Sequence, residues 1–445
     1  MMTVSRTICL GFLVVILVGT FLLMLPISTS NGAWNDLIIA LFTSTSAVCV
    51  TGHIVVDTAT HFSPWGHFFI LSLIQVGGLG YMVVSTFLLL LLGRRIGLQD
   101  KLALQEALDR PKLQGGAQVV RSIIATVLLF EITGVFLLMG VFLPDHGFSK
   151  GLWYAIFHSV SAWNNAGFSL FSDNLVSYKS SLLLNLTIPG LIIFGGIGYE
   201  TLFETYLWLR DRLLRQPARI VFSLHFRVAI STTLVLLSLG TLMIFWTEYG
   251  NMQTIGSLGA ADKILASWFQ SVTSRTAGFN TIDIGKMTTA SLFITIALMF
   301  VGASPGGTGG GIKTTTLRVL SSCTKSILQG KETVSMYERQ IPFSLVLKSI
   351  GVVFGSMALV AISTIWVSLS NPELDFIQIL FEVVSAFGTV GLSTGITAQL
   401  TASSKLMIIA TMYIGRVGVL VLMAALLGDP RPQVIRYPEE SLLVG

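Results

Sequence analysis

Eight apolar stretches, each near the length of a membrane span, constrain this chain of 445 residues more than any other feature. About 20 apolar residues cross the ~30 Å hydrocarbon layer as a helix. The stretches are about 7–28, 66–92, 119–144, 180–199, 228–247, 287–303, 345–370 and 406–428. Only 11% of the residues are charged, against about 25% in soluble domains. We therefore expect an all-α polytopic protein in a lipid bilayer, and not a soluble enzyme, a nucleic-acid binder or a disordered scaffold.

The positive charges predict the orientation of the chain in the membrane. Most of the 27 Lys and Arg residues lie in the connections 94–121, 200–227 and 313–348, near the N-terminus or in the C-terminal tail. By the positive-inside rule, these segments and both termini are cytoplasmic. The first apolar run is longer than the core of a signal peptide and no cleavage pattern follows it, so we expect a retained helix.

Each of the four external connections carries an apolar segment that is too short to span the bilayer. These segments are Trp34–Ala47, Leu152–Ala162, Ile264–Ser274 and Phe376–Ala386. As helices they reach about 15–20 Å, roughly half the hydrocarbon thickness. Such a half-helix is tolerated at membrane depth only where protein surrounds it and it lines an aqueous cavity. We therefore expect four re-entrant half-helices.

The half-length segments repeat a common string. The strings are FTSTSAVCVTGH from Phe42, FHSVSAWNNAGF from Phe157, FQSVTSRTAGF from Phe269 and FEVVSAFGTVGL from Phe381. Each has a hydroxyl residue in its middle and ends near a glycine, and a glycine cluster follows at 77–80, 195–198, 306–311 and 415–418. This periodicity predicts four helix–pore-loop–helix repeats in pseudo-fourfold arrangement around an ion pore. The expected units are 1–95, 115–215, 222–328 and 343–428, followed by a cytoplasmic tail at 429–445.

The glycine of each string predicts the chemistry of the pore. Glycine permits the left-handed backbone that turns carbonyl oxygens toward an axis, and it leaves the lumen free. Converging carbonyl rings replace the hydration shell of an alkali cation, whereas the strings lack the carboxylate ring expected for calcium. A monovalent selectivity filter is therefore expected. Its ligands are the backbone carbonyls around Val50, Thr51, Gly52, Ala166, Gly167, Ala277, Gly278, Val390 and Gly391.

Residues 302–313, GASPGGTGGGIK, interrupt the sixth apolar stretch. Each interior Gly costs a helix about 1 kcal/mol, and Pro about 3 kcal/mol, relative to Ala. We expect a loop at mid-membrane depth that gates the cytoplasmic half of the pore, with a passive helix break as the alternative. The candidate gate residues are Ser304, Pro305, Gly306, Gly307, Thr308, Gly309, Gly310, Gly311 and Lys313, although Lys313 could simply snorkel to the interface.

Arg416 lies inside the last apolar stretch. A charge at that depth costs several kcal/mol unless it faces water or a partner, so it marks a functional position. We expect Arg416 to act in the gate, either as an electrostatic barrier to cations or as a donor to the carbonyls of 302–313. A salt bridge to Glu131, an acid within the third stretch, is the structural alternative.

These fourfold strings, the glycine-rich break in the third repeat and the arginine in the fourth resemble the Trk/Ktr/HKT superfamily of potassium transporters. Within it, the length and short N-terminus are similar to the membrane subunits of bacterial Ktr systems, in the cell membrane. In that family, glycine at all four positions, here Gly52, Gly167, Gly278 and Gly391, accompanies potassium selectivity. The resemblance also implies a homodimer, a cytosolic ring of nucleotide-binding regulatory subunits and sodium-dependent transport.

Other motifs in the chain carry no chemistry in this setting. GASPG at 302–306 matches a nucleophile elbow but follows an apolar helix, and GGTGGGIK lacks the adjacent Gly-Lys of a phosphate loop. We expect no enzymatic activity and no covalent cofactor, so nucleotide control would come from another chain. The rival interpretation is an alternating-access secondary transporter coupled to Na⁺ or H⁺, which predicts inverted repeats.

Overall fold

The computed structural model describes residues 3–80, 83, 116–215 and 221–428, and apolar helices make up most of these ranges. The expected end of the second span, the connection that follows it and the tail at 429–445 lie outside the described residues. The first unit contains α1 (Val4–Met24), α2 (Leu37–Val48), α3 (Thr58–His61) and α4 (Pro64–Leu79). The second contains α5 (Gly116–Trp163), α6 (Leu182–Gly196) and α7 (Tyr199–Leu213).

The second half of the chain has the same order of elements. The third unit contains α8 (Leu224–Glu248), α9 (Ala260–Thr273), α10 (Thr289–Phe300) and α11 (Thr314–Leu328). A short antiparallel hairpin of β1 (Ser335–Met336) and β2 (Arg339–Gln340) follows. The fourth unit contains α12 (Phe343–Ser370), α13 (Phe376–Phe387), α14 (Ala402–Val417) and α15 (Val419–Leu427).

Four helices in the described ranges are long and apolar enough to cross a membrane, and they are the first helices of the four units: α1, α5, α8 and α12. Two bent pairs, α6 with α7 at 105° and α14 with α15 at 94°, raise the number of spans to six if each pair is one span. The chain is therefore a multi-pass membrane protein of all-α class, as the apolar stretches predict.

The second helix of each unit is shorter than its apolar stretch. The helix α6 has 15 residues, α10 has 12 and α14 has 16. The reason is the glycine cluster: Gly80, Gly198 and Gly418 follow α4, α6 and α14 with φ of 76°, 93° and 95°. A right-handed helix cannot continue through such a residue. In the third unit, the helix in the stretch predicted at 287–303 ends at Phe300, and the next helix, α11, begins at Thr314.

The half-length helices lie where the sequence predicts them. They are α2, the part of α5 after Gly147, α9 and α13, and Gly147 (φ 74°) separates the two parts of α5. The phenylalanine that opens each string is fully buried in all four units: Phe42, Phe157, Phe269 and Phe381. Each half-helix is thus surrounded by protein, which a re-entrant segment requires.

The helices pack in a cyclic order. The half-helices α2, α9 and α13 each pack against the first helix of their own unit. The second helix of each unit packs against the half-helix of the next: α4 against α5, α6 against α9, and α10 against α13. The last unit completes the circle, because α14 packs against α2. Four units therefore surround one axis in the order 1-2-3-4.

Candidate functional site

The four string glycines form a closed ring, which we call the glycine ring: Gly52, Gly167, Gly278 and Gly391. A Cβ atom on Gly52 would lie closer than 3.0 Å to the carbonyl oxygen of Ala166. The same is true of Gly167 with Ala277, Gly278 with Val390, and Gly391 with Thr51. Each strand thus touches the next around the axis. Glycine is required here by the close approach of neighbouring strands as well as by its backbone angles.

Each ring glycine has a positive φ, between 69° and 89°. The residue two positions earlier is also left-handed in every repeat, and it is not a glycine: Val50, Asn165, Thr276 and Thr389, with φ between 50° and 68°. When left-handed and right-handed residues alternate, successive carbonyls point to the same side of the strand, which is the geometry a carbonyl-lined path requires. Asn165, Thr276 and Thr389 were not among the sequence-predicted site residues.

In three of the four strings, the hydroxyl residue in the middle ties the strand to its half-helix; Ser46 of the first string makes no such bond. Ser161 Oγ donates to the carbonyl of Phe168 at 2.9 Å, and Thr273 Oγ1 donates to that of Phe279 at 2.6 Å. In the fourth repeat, the N–H of Gly391 donates to Ser385 Oγ at 3.1 Å. These bonds hold the strands from behind, so the carbonyls between them are positioned before any ion arrives.

A buried acid links the first strand to the fourth unit. His53 follows Gly52, and its Nδ1 lies 3.3 Å from Glu382 Oε2 on α13. The Glu382 carboxylate also accepts from the backbone N–H of Thr394 at 3.1 Å and from Thr397 Oγ1 at 3.0 Å. This contact fixes the outer part of the first strand against the fourth half-helix. The string pattern did not predict it, because the other strings have phenylalanine or leucine at the position of His53.

Residues 302–313, here called the crossing loop, leave α10 at a closed neck. The N–H of Gly302 donates to the carbonyl of Ile312 at 2.8 Å, and Val301 and Ile312 form an isolated parallel bridge. Next to the neck, Ser304 Oγ and Thr314 Oγ1 are hydrogen-bonded at 2.8 Å. The segment is therefore an ordered loop with a defined base.

The crossing loop is hydrogen-bonded to the second unit. The N–H of Thr308 donates to the carbonyl of Gly195 at 3.1 Å, and that of Ser304 to Gly196 at 3.0 Å. In return, the N–H of Tyr199 donates to the carbonyl of Gly306 at 3.2 Å. The glycine cluster that ends α6 thus provides free backbone groups for the loop.

The loop also meets the fourth unit directly below the glycine ring. The N–H of Gly310 donates to Thr389 Oγ1 at 2.9 Å, and a Cβ on Gly309 would lie closer than 3.0 Å to Thr276 Oγ1. Lys313 Nζ donates to the carbonyl of Gly309 at 2.7 Å. The loop tip therefore lies against Thr276 and Thr389, two of the left-handed residues that precede the ring glycines by two positions.

Arg416 joins three units. Its Nη1 donates to the carbonyl of Thr308 in the crossing loop, and its Nη2 donates to the carbonyl of Gly77 at the end of α4. The salt bridge to Glu131 is not present, because the Glu131 carboxylate instead accepts from the side chain of Asn164 at 3.2 Å. Of the sequence-based alternatives for Arg416, the structure contains the contact with loop carbonyls.

A cavity of about 230 Å³ lies against the crossing loop, with room for several water molecules. Gly306, Gly307, Thr308 and Gly309 form one wall, together with Lys313 and Arg416. Residues of α1, α4, α5, α6, α7, α14 and α15 form the rest, together with Gly80 and Val83. Irregular backbone at membrane depth therefore borders a cavity, which is the setting in which it is tolerated.

The structure thus brings the predicted site residues into two contiguous groups. One group lines the ring of strands: Val50, Thr51, Gly52, Ala166, Gly167, Ala277, Gly278, Val390 and Gly391. The other group forms the hydrogen-bonded layer beneath the ring: Ser304, Thr308, Gly309, Gly310, Gly311, Lys313 and Arg416. The side of the loop that faces α6 and α7 consists of Pro305, Gly306 and Gly307.

Comparison with known proteins gives a consistent family assignment. The chain is 39% identical over 444 residues to Ktr system potassium uptake protein B of Bacillus subtilis, covering 100% of this chain and 97% of the relative. It is 37% identical to potassium/sodium uptake protein NtpJ of Enterococcus hirae, covering 99% of this chain and 97% of the relative.

The fold has a counterpart among solved structures. The crystal structure of the potassium transporter TrkH from Vibrio parahaemolyticus matches 94% of this chain and 85% of its own length, with a TM-score of 0.71 and 18% identity. The sequence model of the TrkH protein family, which is described as a cation transport protein, matches residues 2–431 of this chain. The chain therefore belongs to the TrkH family of cation transport proteins, which is a transport family and not an enzyme family.

Proposed function

We propose that the chain is the potassium-translocating membrane subunit of a channel-like uptake system. The observation that carries this proposal is the closed glycine ring, in which four strands with alternating backbone handedness meet around one axis. The end-to-end similarity to potassium uptake proteins of two bacteria supports potassium as the ion.

Selection of K⁺ would be performed by backbone carbonyls. The carbonyls of Thr51, Ala166, Ala277 and Val390 lie next to the ring glycines of the neighbouring strands. Four oxygens at one level replace water around a dehydrated alkali cation, and several such levels keep binding weak enough for release. With neutral dipoles as ligands, a monovalent ion is favoured over a divalent one.

Conduction would be controlled by the crossing loop. Its tip lies under Thr276 and Thr389 and is held by Arg416, so an ion leaving the ring meets backbone and a guanidinium. Movement of the tip toward the cavity would open the path.

The alternative function, an alternating-access secondary cation transporter, is less well supported. That mechanism predicts inverted repeats, whereas the four units pack in one cyclic sense and not as inverted pairs.

The proposal is tested by potassium or rubidium uptake in a host that lacks its own potassium transport systems. We expect Gly→Ser at 52, 167, 278 or 391 to reduce either the selectivity for K⁺ over Na⁺ or the affinity for K⁺ by about tenfold or more. The reason is that each added Cβ displaces a neighbouring carbonyl. The matched control is Gly190→Ala, a glycine with free space around it. Wild-type selectivity and affinity in all four variants would reject the filter.

The same proposal includes regulation, assembly and orientation. We infer that a cytosolic nucleotide-binding subunit docks on the Lys- and Arg-rich side of the protein, where both termini lie. We also infer that the chain forms a homodimer and that Na⁺ stimulates transport. A relative described as one component of a Ktr system, and another described as a potassium/sodium uptake protein, support these points. Uptake measured with and without Na⁺ tests the last point; equal rates would reject it.

A further inference from the structure

A second arginine besides Arg416 is buried next to the crossing loop. Arg275 is the second residue after the half-helix α9, three residues before Gly278, and is 8% exposed. The residues three before the other ring glycines are Cys49, Asn164 and Gly388. Since these are uncharged, the pseudo-fourfold packing does not require a cation there, and a role for Arg275 is specific to the third repeat.

Arg275 contacts the neck of the crossing loop. Its Nη2 donates to the carbonyl of Gly302 at 3.3 Å, and Gly302 is the residue whose N–H closes the neck on Ile312. Within the described ranges, no carboxylate forms an ion pair with Arg275. The carbonyls at the C-terminus of α9 carry partial negative charge, which together with the Gly302 carbonyl stabilises the guanidinium.

The two arginines hold different parts of the loop. Arg416 binds the tip at Thr308 and reaches Gly77 of the first unit. Arg275 binds the neck from the third unit, which lies diagonally across the axis from the first in the cyclic order. A loop that is held firmly at its neck and by breakable bonds at its tip can swing without leaving the pore wall.

We propose that Arg275 is a positioning residue that fixes the neck of the crossing loop to the third half-helix, so that only the tip moves when the path opens. This inference rests on the proposed function, in which the loop is the gate. Without Arg275, the neck can move as well, and loop positions with a displaced neck become populated. A lost charged hydrogen bond of this kind raises the ratio of displaced to fixed neck by about tenfold to 100-fold.

The test uses the full chain in liposomes loaded for ⁸⁶Rb⁺ flux. Arg275→Gln is expected to raise basal flux by about fivefold or more, because loop positions with a displaced neck no longer block the path. The matched control is Lys263→Gln, since Lys263 lies on the same half-helix, is also 8% exposed and donates to the Tyr249 carbonyl away from the loop. Arg275→Lys keeps the charge and one donor and should recover part of the wild-type behaviour.

The decisive comparison repeats Arg275→Gln in a chain that lacks residues 305–310. A positioning residue has no loop tip left to position, so the substitution should add no further flux there. An effect of equal size in both backgrounds, or no effect on flux in the complete chain, would overturn the proposal. If Arg275→Gln fails to elute as a single folded species, Arg275→Lys is compared in the same two backgrounds.

A readout independent of transport separates this inference from the proposed function. Ser304 is fully buried beside the neck, so in a chain without native cysteines the thiol of a Ser304→Cys variant should react slowly with a water-soluble reagent. Adding Arg275→Gln should accelerate the reaction by about tenfold. Acceleration without any Rb⁺ flux would reject the proposed function alone, whereas an unchanged reaction rate would reject the role of Arg275.

Discussion

At the scale of single residues, the left-handed positions two before each ring glycine connect the filter strands to the loop. Val50, Asn165, Thr276 and Thr389 share one backbone conformation, yet they differ in side chain. Thr389 Oγ1 accepts from the N–H of Gly310, and the Thr276 hydroxyl and the Asn165 amide are hydrogen-bonded at 3.0 Å. The side chains below the ring therefore bind either each other or the loop tip.

This arrangement predicts the behaviour of Thr389→Val. The substitution leaves the buried N–H of Gly310 without its acceptor, which costs the closed loop about 1–3 kcal/mol. We expect the closed-to-open ratio to fall by about 5- to 150-fold and basal Rb⁺ flux to rise. Thr295→Val is the matched control, since Thr295 bonds only within α10. An equal effect of both variants would contradict the assignment.

The amino-acid sequence predicted some residues of this site, and physical reasons explain why it did not predict the others. The ring glycines were predictable because three nearly equal spacings separate them. Valine and threonine seldom adopt positive φ, so nothing in the sequence signalled a left-handed backbone at Val50, Thr276 or Thr389. Arg275 was missed because charge counting assigns it to an external connection, and only the packed structure reveals that the side chain is buried.

At the scale of elements, the glycine clusters have two functions, which are close packing and helix termination. Gly77 and Gly195 lie against the carbonyls of Val48 and Trp163, at the ends of half-helices, where any Cβ would collide. Gly80 and Gly198 end their helices with positive φ. The exposed carbonyls at these helix ends then bind Arg416 and the crossing loop.

Two glycines of one helix provide a matched pair for this argument. In α6, a Cβ on Gly190 meets nothing within 4 Å, whereas one on Gly195 would collide with the Trp163 carbonyl. We expect Gly190→Ala to raise the free energy of unfolding by about 0.5–1 kcal/mol through helix propensity. Gly195→Ala should lower it by at least 1 kcal/mol. Thermal unfolding in detergent measures both, and equal shifts would contradict the close approach.

The ends of the helices were predictable only where the apolar pattern and the helix-breaking residues agree. The four half-helices match their predicted segments within a few residues, since all four repeat the same short apolar string. The second helices were predicted too long, because apolar composition continues through the glycine clusters while helical backbone does not.

At the scale of the whole molecule, Arg416 connects units that are far apart in the sequence. Through one guanidinium, the fourth unit binds the loop of the third and the end of α4 in the first. The planar fork of arginine makes this double contact possible, whereas an ammonium cannot span both carbonyls. The cyclic order that brings these units together could not be read from the sequence, because equal repeats carry no information about which are neighbours.

Two substitutions distinguish a bridge from a purely electrostatic barrier. If Arg416 acts by joining Thr308 to Gly77, both Arg416→Gln and Arg416→Lys should raise basal Rb⁺ flux by about fivefold or more. If its charge alone opposes cations, only Arg416→Gln should do so. Lys405→Gln, a change of a half-buried cation on the same helix, is the control. Unchanged flux in both variants would exclude Arg416 from the gate.

The circular packing of the four units also has a consequence for biosynthesis. The first half-helix, α2, finds its neighbour α14 only after more than 400 residues have left the ribosome. Tyr413 then donates to the carbonyl of Cys9 at 2.7 Å, and Arg6 donates to that of Ala425 at 2.8 Å. Contacts so distant in sequence form late. Until then, the polar backbone of the first strand has to be shielded by the insertion machinery, and chains truncated before α14 should be preferred substrates of membrane quality-control proteases.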